Sequence, residues 1–173
     1  PSDPLETIKA LKASIEDNTS CYIRLTGGSN TPIINTKDYD FSIGKAIELM
    51  EGKDVIIIGC GVILSEGLQA AEKLKKHNLS TSVINCHTIK PLDQNLLNFI
   101  KSTHKILVTI EEHNTIGGLG SAVSELITQN KTTCPLIRIG VNDKYSNSGS
   151  YNFLKNHYGL TSDKIVDKIL KNI

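Results

Sequence analysis

The chain has almost no charge of one sign: 19 lysines and arginines face 18 aspartates and glutamates, a formal net charge of +1. That excludes a broad electrostatic attraction to nucleic acid or to anionic membrane. Long hydrophobic runs are missing too, since nothing approaches the ~20 apolar residues of a membrane helix. The four cysteines, Cys21, Cys60, Cys86 and Cys134, form no CxxC pair. The tight spacing of a disulfide framework or a zinc site is therefore absent, and no metal ligands are assigned. Three of the four sit in or beside apolar runs, where cysteine acts as a small hydrophobe, so reduced thiols and a cytoplasmic setting are expected. Met50 is the sole methionine. Pro1-Ser2-Asp3-Pro4 has neither an initiator methionine nor a signal-peptide profile, and the chain is expected to be a fragment of something longer.

What is present suits one full domain plus an accessory segment: 173 residues, 39% of them apolar, enough to bury a real core. Leu5, Ile8, Leu11 and Ile15 recur at helical spacing and predict an amphipathic helix over 4–17, with Asp3 as its cap and Pro4 in its first turn. Cys21 to Leu25 reads as a short strand closed by Thr26-Gly27-Gly28. One helix and one strand cannot bury their own apolar faces, so this piece is expected to end a domain whose body lies elsewhere. Residues 29–53 carry loop signals with local strand structure, and 40–50 reads as an extended lead-in.

From Asp54 the pattern becomes regular. Strands are predicted at Val55–Ile58, Thr81–Cys86, Lys105–Ile110 and Leu136–Ile139. Helices are predicted at 63–77, Leu92–Ser102, 119–129, about 151–157 and 162–172, the last with Ile165, Ile169 and Ile173 inward. Alternation of this kind implies βαβ units. The expected fold is α/β, a three-layer sandwich around a mostly parallel sheet of about five strands.

Several motifs carry possible chemistry. Gly59-Cys60-Gly61 follows the first regular strand, but the third glycine of a dinucleotide fingerprint is replaced by Leu64. The ribose-binding acid is also missing, where Asn85, Cys86 and His87 stand. A tight turn is the better reading. His87 and Lys90 could be ligand contacts, although Pro91 and Asp93 fit the ordinary start of a helix. Glu111, Glu112 and His113 bring two carboxylates and an imidazole to a strand end, a weak acid–base signature. Gly117, Gly118 and Gly120 then require close backbone approach or positive φ, and the helix start after them could receive an anion or a partner side chain. Arg24 lies in the apolar run Tyr22-Ile23-Arg24-Leu25, where a buried guanidinium would need an anionic partner.

Taken in order, Asp3-Pro4-Leu5-Glu6-Thr7, Tyr22-Ile23-Arg24-Leu25, Tyr39-Asp40-Phe41, Val55 to Gly61, Ala70 to Leu74 and Thr88 to Asp93 resemble the C-terminal part of transketolase. The Glu111–Gly120 segment, Ser148 to Tyr151 and His157 to Leu160 continue the series. The resemblance implies a fold of three domains. It divides this chain into the tail of the pyrimidine-binding middle domain (1–35), a linker (36–53) and the transketolase C-terminal domain (54–173). It implies a thiamine-diphosphate enzyme that moves two-carbon ketol units between sugar phosphates, with Mg²⁺ in the full enzyme. No cofactor is expected on this chain alone, because neither a Gly-Asp-Gly…Asn signature nor the activating glutamate is found in it. The implied partners are the remaining transketolase domains or an N-terminal subunit, a homodimer of the full enzyme, and sugar-phosphate substrates. No catalytic residue is assigned, and Arg24 is the substrate-phosphate candidate. Glu111, Glu112, His113, Gly117, Gly118 and Gly120 are candidates for a packing interface. The alternatives are a stand-alone module for a small anion or partner, a deoxyxylulose-phosphate synthase, a 2-oxo-acid dehydrogenase β subunit, and a Rossmann oxidoreductase.

Overall fold

Four short apolar runs build the centre of the molecule as strands β2 (Val55–Gly59), β3 (Thr81–Asn85), β4 (Ile106–Asn114) and β5 (Leu136–Val141), in a computed structural model that describes residues 1–26, 31–36 and 38–173. Every residue of β2 and β3 is buried, as parallel strands covered on both faces must be. A further strand, β1 (Ile47–Met50), adds antiparallel to the β3 edge, giving the order β1-β3-β2-β4-β5 with the other three pairings parallel. A register shift between Glu48 and Met50 interrupts this edge, which limits further strand addition.

The period-two alternation of β2 sorts its side chains between two cores. Val55 and Ile57 meet α2 (Leu64–Leu74) and α5 (Ser162–Leu170) through Leu64, Ala71, Leu74, Ile165 and Ile169. Ile56 and Ile58 meet Leu119, Val123 and Leu126 of α3 (Leu119–Gln129) and Leu96 of a 3-10 segment, Gln94–Phe99. The result is the three-layer α/β sandwich expected from the pattern. Glu66, buried on α2, fastens the C-terminal helices: its carboxylate accepts from the Ser162 N–H at 2.6 Å and from Lys155 Nζ of α4 (Tyr151–His157) at 2.5 Å.

Four local expectations are corrected. Cys21–Leu25 is extended but pairs with no strand among the described residues, and Tyr22, Arg24 and Leu25 are exposed. An apolar run becomes a strand only where a pleated, half-buried surface receives it. The Gly27-Gly28 part of the expected closing turn lies outside the described residues. The helix expected over Leu92–Ser102 shrinks to the 3-10 segment. Asp93 caps that segment through the Asn95 N–H (2.8 Å) while its other oxygen accepts from the Ala46 N–H (2.8 Å), tying the turn to the chain entering β1. Strand β4 continues past Ile110 to Asn114, because β5 stays paired with it after a register shift, to Asn114 opposite Val141. Ile173 is exposed rather than inward.

The first helix, α1 (Pro4–Glu16), starts where expected. Asp3 caps it by accepting from the Glu6 N–H at 2.9 Å. Its apolar row, however, faces away from the protein: Ile8, Leu11 and Ile15 are 53%, 54% and 75% exposed. Glu6 is the one buried residue of α1. No helix among the described residues is long and apolar enough to cross a membrane.

Candidate functional site

The carboxyl ends of β2 and β4 flank the place where such sheets bind ligands, because α2 and α3 leave these neighbouring strands toward opposite faces. Two buried carboxylates, Glu111 and Glu6, organise this end of the sheet.

Glu111 is 3% exposed. Its Oε2 accepts from the Leu119 N–H at 2.8 Å and its Oε1 from the Gly120 N–H at 2.9 Å. These are among the first donors of α3, which has no side-chain bond from its own N-cap residue, Gly118. Opening amides of a helix have no partner within it and carry partial positive charge. Glu111 supplies both the acceptors and the negative charge. Gly118 follows from this contact and Gly120 from a neighbouring one. A Cβ on Gly118 would land on the Glu111 carboxylate, and one on Gly120 would lie 2.8 Å from Thr109 Oγ1. Gly117 adopts φ +77°, the left-handed region.

The other residues of this segment do not converge on Glu111. Glu112 accepts from the Tyr151 hydroxyl, joining β4 to α4. Burial, with that bond and the Glu112 charge, holds the Tyr151 phenol well above its usual range. His113 is exposed, and its Nδ1 lies 3.1 Å from the neighbouring Asn114 carbonyl. The arrangement can cap, orient and tie elements together. It does not aim two acids and a base at one reacting atom.

The second carboxylate was not singled out by sequence reasoning. Glu6, fully buried, accepts at Oε2 from the Ser2 N–H (3.2 Å), from the Ser2 hydroxyl, and from Asn85 Nδ2 at the end of β3 (2.7 Å). Beside it Asp3 Oδ2 accepts from the N–H groups of Ile34 (3.0 Å) and Asn35 (2.6 Å) and from the Asn35 amide (3.0 Å). Burial acts to raise the Asp3 pKa, but these bonds and the cap bond from Glu6 together hold it below the ordinary value. The available signal was the spacing Asp3-x-x-Glu6, that of a capping box. Here the glutamate reaches Ser2 and the sheet rather than the Asp3 N–H. Asn85 stands where a dinucleotide site would want an acid, and its amide is committed to Glu6.

Other candidates are placed as follows. Arg24 is exposed, and no acid among the described residues pairs with it. His87 stacks on Phe41 at 4.2 Å, and burial lowers its pKa. Lys90 is exposed. Burial pushes the Cys60 and Cys86 thiols up to about 11 and about 12, which suppresses nucleophilic character. All four cysteines are free thiols. Among the described residues no group of His, Cys, Asp and Glu is placed to hold a metal ion.

With this geometry in hand, the comparisons with known proteins agree in direction. A family model described as the transketolase C-terminal domain matches residues 44–165. The whole chain is 35% identical to a putative transketolase C-terminal section of Methanocaldococcus jannaschii, covering 54% of that protein. Over 99% of its length it is 33% identical to a 1-deoxy-D-xylulose-5-phosphate synthase of Caldanaerobacter subterraneus, covering 28% of it. A solved structure of a split-gene transketolase, an inactive β4 tetramer, superposes with a TM-score of 0.92 at 35% identity, over 99% of this chain and 56% of that one. The chain thus spans about half the length of the first of these relatives and about a quarter of the second.

Proposed function

The chain belongs to the transketolase C-terminal-domain family, and from that premise we propose that it is the C-terminal region of a thiamine-diphosphate-dependent transketolase, transferring two-carbon ketol units between sugar phosphates in the cytoplasm. Its part is assembly and orientation rather than chemistry. Residues 1–35 are the tail of the pyrimidine-binding domain, 36–53 a linker whose end adds strand β1 to the sheet, and 54–173 the body of the C-terminal domain. The apolar row of α1 packs on the remaining transketolase parts, whether in one chain or as an N-terminal subunit, within a homodimer of the full enzyme.

The observation that carries this reading is the self-filling of the sheet's carboxyl end. Glu111 takes the α3 amides that an anion would use, and Glu6 takes the Asn85 amide. When bound in the full enzyme, thiamine diphosphate supplies the carbanion chemistry. These residues do not fit it: the helix start holds a carboxylate, and the described residues offer no metal-ligand cluster for Mg²⁺. No chemical step is therefore routed through this chain. Arg24, an exposed residue, is the one offered to a substrate phosphate. A second reading, part of a deoxyxylulose-phosphate synthase, draws on the relative from Caldanaerobacter.

Calorimetric titration of the chain with thiamine diphosphate and Mg²⁺ tests the division of labour. No heat of binding is expected for the chain alone, and a tight isotherm would overturn the proposal.

A further inference from the structure

The start of α1 meets the sheet through polar groups, with Ile34 packed on the α2–α5 core beside them, whereas the helix layers meet the sheet through apolar side chains. Ser2 and Glu6 are fully buried, Asp3 and Asn35 nearly so, and Asn85 sits at the end of β3, in register with Gly59 of β2 and Ile47 of β1. The groups are joined by Asn85 Nδ2 to Glu6 Oε2 at 2.7 Å, Asn35 Nδ2 to Ser2 Oγ at 3.2 Å, and the three donors from Ile34 and Asn35 on Asp3. Beyond Glu6, Lys9 Nζ donates to the Tyr39 carbonyl at 2.6 Å and pairs with Asp38, while the apolar row Ile8, Leu11 and Ile15 is exposed.

Apolar contacts are non-directional and tolerate sliding. Buried hydrogen bonds are directional, and a donor or acceptor pulled off its partner inside the protein loses water as well. A helix held this way can leave the sheet in one direction only. The Asn85 amide orientation is itself determined: turning it over would set its carbonyl against the Glu6 carboxylate, two acceptors face to face.

We propose that Ser2, Asp3, Glu6, Asn35 and Asn85 form a buried polar latch that makes α1 and the sheet one rigid body. In this latch Glu6 and Asn85 are positioning residues that aim the row Ile8, Leu11 and Ile15 at the body of the pyrimidine-binding domain, whose tail residues 1–35 are proposed to be. The latch rests on the geometry of this chain, and its purpose rests on the function proposed above.

Hydrogen–deuterium exchange on the full chain tests the latch. Asn85→Leu removes the amide at similar volume. It is expected to speed exchange of α1 amides roughly tenfold or more, while β2 and β4 amides change less than about twofold. Glu6→Gln keeps an acceptor for Asn85 and is expected to retain most of the protection. A residue that merely stabilised the fold would raise α1 and sheet rates together, and that result, or no change in α1, overturns the latch. Should Asn85→Leu fail to fold, Asn35→Ala loosens the Asp3 side of the seam and is read by the same criterion. Titration with a purified transketolase piece that carries the body of the pyrimidine-binding domain tests the purpose. Asn85→Leu should bind it about tenfold more weakly, and undiminished binding with a loosened α1 overturns the positioning role. Failure of the unsubstituted chain to bind would remove the functional reading while the exchange result stood.

Discussion

Helices α1 and α5 carry the same kind of pattern at opposite ends of the chain, yet they meet opposite fates. Ile165, Val166 and Ile169 of α5 are buried against α2 and the sheet, whereas Ile8, Leu11 and Ile15 of α1 face outward. Amphipathic spacing tells which face of a helix is apolar; burial depends on what lies opposite. Helix α5 is held by its row and by Glu66 beneath its first turn. Helix α1 is held at its start by Glu6 and Asp3 and farther along by Lys9, which donates to the Tyr39 carbonyl at 2.6 Å and pairs with Asp38. Helix α3 combines the two modes, with Leu119, Val123 and Leu126 in the core and the Glu111 carboxylate on its first amides.

The largest effect is expected where a carboxylate and a helix start are inseparable. Gly118→Ala pushes a methyl group into the Glu111 carboxylate. It should cost about 3–5 kcal/mol through overpacking plus lost charge-assisted bonds, read as a lower urea midpoint. A cost below about 1 kcal/mol would mean that Glu111 does not cap α3 in solution. Next, Ile165→Ala opens a cavity under α5 and should cost roughly 2–4 kcal/mol, several degrees or more of melting temperature in a chain of this size.

Acid should loosen the α1 attachment. Asp3 has a folded pKa below its ordinary 3.8. Its contribution is complete above 3.8 and is lost as pH falls through the lower folded value. His87 and His104 act in the same direction at higher pH. Burial lowers both from 6.5, so the stability they permit is full above 6.5 and declines as pH falls through their folded values. Melting temperature followed from pH 7 to pH 3 should therefore fall throughout, and a rise on acidification would contradict these assignments. The smallest effect sharpens the helix comparison. Leu11→Ser on α1 should change stability by less than about 0.5 kcal/mol, as exposed positions do. A cost comparable to that of Ile165→Ala would show the α1 row buried in solution and end the contrast.

Much of this was legible in the residues. The run at Val55 could be read as a strand because a parallel strand buried on both faces is apolar throughout, and those at Thr81 and Leu136 by their β-branched residues. The helix 119–129 matched its observed limits, and Asp3 and Pro4 signalled the start of α1. Misreadings arose where a partner distant in sequence decides the outcome. Tyr22 to Leu25 looks like a strand, but no neighbouring edge among the described residues receives it. The 3-10 turn after Pro91 is tied by Asp93 to Ala46, a bond no local pattern reveals. At the site, Gly118 lies against the Glu111 carboxylate and Gly120 against Thr109 Oγ1, while Gly117 takes positive φ with open space around it. That the approaching group is the chain's own Glu111 is not encoded in spacing alone. Glu6 and Asn85, 79 residues apart, form a pair that only the folded chain displays.

The role proposed for this chain is to position a transketolase without performing its chemistry. Ketol transfer between sugar phosphates, measured with thiamine diphosphate and Mg²⁺ on the purified chain, on a purified protein carrying the remaining transketolase regions with the body of the pyrimidine-binding domain included, and on their mixture, is the most direct test. Transfer is expected in the mixture and absent from this chain alone. Transfer catalysed by the chain by itself, or none from a mixture shown to associate, would contradict it.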